Sequence, residues 1–202
     1  AAQALELRSA KLQDAELAAA IDLLDAPEHA RPRASLLLRR CRANQLAFQL
    51  ERATPICGEA ARALAGSGFE VTRLRLQSTQ ADLLRMQSRA AEAESATREL
   101  LSAALGLVPE SLLTAEAHFK LGSILHVQSR LVESLAEIDA AQALIGRIGS
   151  APYFASILSS QRGLTLKASG DFDAAEEALA HTVRLRESFA PDSMDLARAL
   201  NN

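Results

Sequence analysis

The stretch that decides the fold is "GDFDAAEEALAHTVRLRESFAPDSMDLARALNN", from Gly170 to Asn202. It contains a Gly-Asp turn, a run of apolar and charged residues with helical spacing, and a break at Pro191-Asp192. Helical spacing then resumes to the last residue, with Asp192 or Ser193 as the cap of the new helix. The pattern predicts a turn, a helix, a second turn and the start of another helix.

The same arrangement recurs upstream with a period of 41 residues, since Ser88, Ser129 and Gly170 mark equivalent turns. Small residues occupy two matched positions in each unit, one before the turn and one after it. They are Ala81, Gly122 and Gly163 before the turn, and Ala93, Ser134 and Ala175 after it. Small side chains let two helices pack at the close spacing of about 8–10 Å. We therefore expect antiparallel helical hairpins with these residues buried at the crossings.

The repeat predicts a single helical domain over residues 1–202. Its expected parts are N-terminal helices in 1–30, with Pro27 to Pro32 as a linker, and a degenerate repeat in 31–73 that Pro55 interrupts unless Thr54 caps a new helix. Repeats of 41 residues follow at 74–114, 115–155 and 156–196, and 197–202 begins a truncated repeat. Apolar residues near the end, such as Leu179, Val183, Leu196 and Leu200, are expected to pack against a further helix.

The composition agrees with close-packed helices. Hydrophobic residues make up 49% of the chain but aromatic residues only 3%, with no Trp. No apolar stretch approaches the ~18 residues of a membrane span, and the N-terminal residues do not resemble a signal peptide. Cys41 and Cys57 match no metal or redox spacing. We interpret them as buried apolar residues, with a disulfide across a hairpin as the alternative, and expect a cytoplasmic location.

Gly163, Gly170-Asp171-Phe172, Ala175 and Pro191 resemble the tetratricopeptide repeat (TPR). The usual TPR period is about 34 residues, so longer helices or turns are implied here. The closing stretch is more similar to the longer repeats of kinesin light chains and of bacterial multidomain proteins, such as those preceding CHAT protease domains. The resemblance implies a right-handed superhelix of hairpins that binds a protein or peptide, with an effector domain in a C-terminal continuation.

In TPR arrays the first helix of each hairpin lines a concave binding face. Counting from the small residues, the resemblance implies a groove formed by three helices and the start of a fourth. Its positions are Arg75, Ser78, Thr79, Asp82, Arg85 and Met86; Glu116, Phe119, Lys120, Ser123, His126 and Val127; Ile157, Ser160, Gln161, Leu164, Lys167 and Ala168; and Asn201 and Asn202. The two asparagines would hydrogen-bond a peptide backbone.

Arg75, Arg85, Lys120 and Lys167 outnumber the acidic residues at these positions, and Arg39 and Arg42 would extend the series if they continue the same line. We expect the four cations on one concave face that prefers an acidic partner segment. Dispersed surface charges of little energetic consequence are the alternative. Residues 31–89 carry eleven Lys or Arg and four Asp or Glu. A nucleic-acid footprint is the third interpretation, but no interleaved aromatic residues support it.

The chemistry-bearing residues do not assemble into a catalytic or metal site. The four histidines are His29, His118, His126 and His181, and the closest pair is eight residues apart. We interpret them as surface or hairpin-packing residues, and "AGSGF" at 65–69 as a helix end rather than a phosphate loop. We expect no enzyme activity, no cofactor and no metal.

The predicted function is a noncatalytic scaffold that recognises a protein or peptide segment, as the regulatory part of a larger protein. Two alternatives stay open. One is a ligand-sensing helical domain of a signalling or transcription regulator. The other is a structural module that self-associates through an open C-terminal end.

Overall fold

The computed structural model describes residues 2–24, 29–149 and 151–201, with side chains from residue 12 onward. Within these ranges all regular secondary structure is helical and no strand occurs. The helices are α1 Ala2–Asp22, α2 Ala30–Leu46, α3 Leu50–Leu64, α4 Glu70–Met86, α5 Ala90–Leu107, α6 Leu112–Val127, α7 Leu131–Ile148, α8 Pro152–Ser169, α9 Phe172–Phe189 and α10 Met194–Leu200. The all-α class predicted from the sequence is confirmed.

The chain divides into two compact units, residues 1–96 and 97–202, and the boundary falls inside α5. In the first unit α2 pairs with α3, and α1 and α4 pack against this hairpin. In the second unit α6 pairs with α7 and α8 with α9, while α10 packs on α9. The helices thus pack as sequential antiparallel pairs. The first helices also touch each other, α2 with α4 and α6 with α8.

The hairpin turns follow the predicted period. The residue that reverses the chain has a positive φ in each case: Phe48, Ser88, Ser129 and Gly170. Only Gly170 adopts this left-handed conformation without a Cβ penalty. The bounds of the 41-residue repeats themselves stay a prediction.

Small residues lie at the helix crossings, as expected. Ala81, Ala93 and Ala175 are buried, and so are Gly122 and Gly163. A Cβ placed on Gly163 would lie 2.7 Å from Leu179 Cγ, and one on Gly122 would lie 2.9 Å from Ile138 Cγ1. Such distances are shorter than atomic contact allows, so glycine is what permits these helices to approach.

Side-chain caps define where several helices begin. The Ser111 hydroxyl accepts from the Thr114 amide at the start of α6, and the Asp171 carboxylate accepts from the Ala174 amide at the start of α9. Ser193 does the same for α10 through the Leu196 amide, so of the two predicted caps the structure uses Ser193. Each cap satisfies a backbone donor that a first helical turn leaves unpaired.

Residues 2–22 form one helix, in line with the N-terminal helices expected in 1–30. The N-terminal part differs from its prediction in two other respects. Pro32 lies in the first turn of α2, so the expected linker to Pro32 is wrong, and 25–28 lie outside the described residues. Pro55 lies inside a continuous α3 and Thr54 starts no new helix. Because Pro55 follows the helix start closely, it removes only one backbone hydrogen bond near the exposed end.

A buried carboxylate attaches α1 to the first hairpin. Asp14 is only 8% exposed, and it accepts from Arg40 Nε at 2.8 Å and from Asn44 Nδ2 at 2.7 Å, both on α2. Arg52 of α3 lies 3.6 Å from the same carboxylate. The hydrogen bond from Arg40 lowers the pKa of Asp14, although burial alone would raise it. The ionised form is therefore the one that stabilises the packing of α1.

A buried arginine attaches α10 in the second unit. The Arg186 guanidinium of α9 donates to the backbone carbonyl of Asp195 in α10. Its Nε also lies 3.5 Å from the Ser156 hydroxyl of α8. Arg186 therefore links three helices by its fork of donors.

We expect Gly163→Leu to destabilise the chain by about 1–3 kcal/mol, because the new side chain would overpack the α8–α9 crossing. Gly146→Leu is the matched control, since a Cβ at Gly146 of α7 meets nothing within 4 Å. Thermal melts of both variants measure the effect. If the melting temperature of Gly163→Leu equals that of the parent, the close approach of α8 and α9 does not require a glycine at this crossing.

We expect Asp14→Asn to cost about 1–3 kcal/mol at neutral pH, because it leaves Arg40 without its charged acceptor. The folded pKa of Asp14 is lowered, so the contribution is present above the unfolded pKa of about 3.9 and is lost as pH falls through the folded value. Urea denaturation at neutral and acidic pH, with the exposed Asp22→Asn as control, measures this. An equal cost of Asp14→Asn at both pH values would contradict the assignment.

Candidate functional site

In the first unit, the side shared by α2 and α4 holds one part of the predicted groove. Gln45 Nε2 of α2 lies 3.8 Å from Met86 Sδ of α4, which fixes where the two helices meet. Arg75 precedes Met86 by eleven residues, about three helical turns, so both lie on the same side of α4. On α2, Arg42 precedes Gln45 by three residues and lies about 60° from it around the helix, and Arg39 precedes it by six residues and lies about 120° from it.

Arg39, Arg42 and Arg75 form what we call the basic face, and all three are exposed. Other arginines of this unit bind carboxylates, as Arg33 binds Glu59 at 3.0 Å and Arg40 binds Asp14. Within the described part of the chain, no acidic side chain pairs with any member of the basic face. The face therefore presents positive charge that the unit itself does not neutralise.

Other predicted groove residues on α4 behave differently. Ser78 and Thr79 are buried, so their expected exposure is wrong. The Thr79 hydroxyl donates to the Arg75 carbonyl, which satisfies it inside its own helix. Arg85 is exposed but lies 3.8 Å from the half-buried Asp82, so its charge is partly balanced.

In the second unit, α6 and α8 form the corresponding α6–α8 face. His126 Nδ1 lies 3.0 Å from the Thr165 hydroxyl, a hydrogen bond that joins the two helices. Phe119 packs edge-to-face on Phe154, with ring centroids 5.6 Å apart, and belongs to the surrounding apolar core. Phe119 and His126 thus hold the helices together, which corrects their expected role as exposed groove positions.

The remaining predicted positions of the α6–α8 face differ in exposure. Glu116, Lys120, Ser123, Ile157, Ser160, Gln161 and Leu164 are half-buried, and Val127, Lys167 and Ala168 are exposed. Asn201 is exposed on the turn after α10, and Asn202 lies outside the described residues. This face carries Glu116, Lys120 and Lys167, so its net positive charge is smaller than that of the basic face. Arg75 and Arg85 belong to the first unit and Lys120 and Lys167 to the second, so their expected alignment on one face stays a prediction.

An apolar groove of about 380 Å³ lies beside α9 and α10 in the second unit. It is lined by Lys167, Phe172, Ala175, Glu176, Leu179, Ala180, Val183, Ala199 and Leu200. Three of these lining residues, Leu179, Val183 and Leu200, were expected from the sequence to pack against a further helix. We refer to it below as the C-terminal groove.

The histidine interpretation holds for His118, which lies 2.6 Å from Glu137 across the α6–α7 hairpin. Among the described residues, no group of three or more His, Cys, Asp and Glu side chains could hold a metal ion.

In the same residues no helix has both the length and the apolarity needed to cross a membrane.

The feature that we expected only as the alternative is a disulfide between Cys41 of α2 and Cys57 of α3. Both residues are buried in the apolar core of the first unit. The burial expected for them is therefore correct, but they are joined by a disulfide rather than merely packed. Two signals pointed to it: Cys41 lies near the small position of its helix, and the spacing to Cys57 spans one hairpin turn.

No family model matches the sequence, and no curated protein matches it. Solved structures do match. BtubC from P. vanneervenii has a TM-score of 0.78 and 14% identity, covering 100% of this chain and 81% of its own. The nearly identical TPR-like repeats of a Podospora anserina kinesin light chain have a TM-score of 0.61 and 13% identity, covering 92% and 95%. MamA from Desulfovibrio magneticus RS-1 has a TM-score of 0.59 and 15% identity, covering 95% and 97%.

At these identities the likeness shows the fold, and it shows it over nearly the whole chain. The chain has the TPR-like repeat fold, and its resemblance to the repeats of kinesin light chains is confirmed. Proteins with this fold are generally scaffolds for protein interaction and are typically noncatalytic.

Proposed function

We propose that the chain is a noncatalytic scaffold whose basic face binds an acidic segment of a partner protein. The observation that carries the proposal is the set of three exposed arginines, Arg39, Arg42 and Arg75, without an acidic partner in the described residues. Six other arginines of the same unit, among them Arg33, Arg40 and Arg52, bind a carboxylate of their own unit, whereas the three arginines of the basic face have capacity left for an anion.

Arginine suits this task because its planar guanidinium can hold a carboxylate by two parallel hydrogen bonds. Clustered positive charge also raises the local potential and speeds the encounter with an acidic chain. Since the side chains are exposed to water, their interactions are screened by salt. The expected partner is therefore an acidic, extended segment that binds quickly and more weakly as ionic strength rises.

The α6–α8 face of the second unit, taken by itself, has a different chemistry. Ser160 and Gln161 can donate and accept hydrogen bonds, so they suit a peptide backbone rather than a particular side chain. We place the scaffold in a larger protein, where partner recognition would direct an effector domain. A ligand-sensing role draws no support from the C-terminal groove, which is apolar and open rather than an enclosed polar pocket.

We expect the double reversal Arg39→Glu with Arg42→Glu to weaken binding of a fluorescein-labelled Glu-Gly repeat peptide about tenfold, which corresponds to about 1.4 kcal/mol from lost and opposed ion pairs. Fluorescence anisotropy at several salt concentrations measures it. A Lys-Gly peptide should not bind the parent.

The matched control is Arg62→Glu with Arg184→Glu, which changes the net charge equally at two exposed arginines that are not part of the basic face. It should leave the affinity within about twofold, since salt screens charges that do not contact the bound peptide. Equal weakening by both double variants, or binding that salt does not alter, would exclude the basic face as the site.

Self-association is a second candidate function, and the C-terminal groove is the observation that favours it. Leu200 lines this groove while 66% exposed. If two copies associate there, Leu200→Asp should return the chain to a monomer in sedimentation velocity. Leu46→Asp, at a residue 67% exposed on α2, should not. A monomeric parent at high concentration would rule this function out.

A further inference from the structure

The disulfide lies at the position where the hairpins of the second unit make their closest crossing. Cys41 and Cys57 are seven residues before and nine residues after the positive-φ residue Phe48. Gly122 and Ile138 have the same offsets from Ser129, and Gly163 and Leu179 have them from Gly170. The three pairs are therefore equivalent by position, although one is covalent and two are packing contacts.

Geometry explains why this position accepts a disulfide. In the second unit the crossing is so close that a Cβ on either glycine would lie 2.7–2.9 Å from its partner side chain. In the first unit the Cα atoms of Cys41 and Cys57 are 5.1 Å apart, within the range of about 4.4–6.8 Å that disulfides bridge. One crossing geometry thus admits either a glycine against a branched side chain or a cysteine pair.

We propose that the Cys41–Cys57 bond is a redox-dependent lock on the α2–α3 hairpin. It holds the two helices together at their crossing by a covalent bond, whereas in the second unit packing alone holds the equivalent crossings together. The bond forms when the two thiols give up two protons and two electrons to an external disulfide oxidant, which is reduced to two thiols. A dithiol reductant reverses it by thiol–disulfide exchange.

Reduction should loosen the hairpin because the two sulfur atoms can no longer share a bond. They would move from a bonded separation of about 2.05 Å to non-bonded contact at roughly 3.5–4 Å. Cys41 is 0% and Cys57 1% exposed, so the surrounding core leaves little room for this movement. The two helices must shift, or the side chains must leave their rotamers.

The lock has two consequences. Disulfides persist in oxidising compartments, so the bonded form counts against the cytoplasmic location that we expected from the sequence. Arg39 and Arg42 flank Cys41 on α2, so reduction would also displace part of the basic face. This second consequence rests on the proposed function, whereas the lock itself does not.

The test begins with the unmodified chain. Alkylation by iodoacetamide in denaturant without reductant should label neither cysteine, and labelling after dithiothreitol should modify both. Dithiothreitol should lower the melting temperature by on the order of 10 °C, because the crosslink closes a loop of about 15 residues. Two free thiols in the purified chain, or a melt that full reduction does not change, would overturn the proposal.

Variants then distinguish the effect of breaking the disulfide from the effect of removing the two cysteine side chains. Cys41→Gly with Cys57→Leu copies the Gly163–Leu179 crossing and should melt at one temperature with or without dithiothreitol. Cys41→Ala with Cys57→Ala should melt like the reduced parent. Conversely, Gly163→Cys with Leu179→Cys should form a second disulfide by the same alkylation assay. If that disulfide does not form, the equivalence of the crossings is wrong.

A binding measurement distinguishes failure of the lock from failure of the proposed function. The oxidised and reduced parent are each titrated with the Glu-Gly peptide, and we expect reduction to weaken binding severalfold. Binding by neither form, together with a melt that shifts on reduction, would reject the acidic-partner function and leave the lock intact. Equal binding by both forms would reject the coupling between the lock and the basic face.

Discussion

Each helical hairpin depends on the close approach of its two helices at one crossing. In the second unit a glycine on the first helix meets a branched side chain sixteen residues later, as Gly163 meets Leu179. Because the backbones approach so closely, the core is built from Ala, Leu and small polar residues rather than aromatic ones. This agrees with an aromatic content of 3%, and it explains why hydroxyls such as that of Ser134 bond across the crossing to the Gly122 carbonyl.

The same constraint determines which side chains are available for binding. One side of each first helix is committed to the crossing, and a second side packs on the neighbouring first helix, as α2 does on α4 and α6 on α8. Only the side left over can vary without a packing cost. In the first unit that side carries the basic face, whereas in the second it carries hydroxyl, amide and apolar groups together with Glu116, Lys120 and Lys167. The two units therefore differ in chemistry on the side of the first helices that helix packing constrains least.

Much of the fold followed from the sequence because turns and small residues are local signals with a regular period. Gly122, Gly163 and the turn at Gly170 were identified correctly on that basis. The exposure of Ser78, Thr79 and Phe119 was not, because a count of positions along one helix does not reveal how far a neighbouring helix covers it. Phe119 is covered by Phe154 of α8, thirty-five residues away, and only tertiary structure brings the two together. The groove residues could thus be assigned to helices, but not to exposed or buried sides.

The disulfide was only the second interpretation of the sequence for a related reason. Cys41 and Cys57 match no sequence motif, and the equivalence of their position with the other crossings becomes visible only when the hairpins are compared at equal offsets from their turns. In that comparison a cysteine pair replaces a glycine and a branched residue, because both arrangements satisfy the same short distance between helices. The two are not equivalent in their response to the environment. Packing at the α8–α9 crossing depends on the shape of the side chains, whereas the α2–α3 crossing also depends on the redox state of its surroundings. Since α2 is the helix that carries Arg39 and Arg42, two of the exposed arginines of the basic face lie on a helix whose packing includes a disulfide.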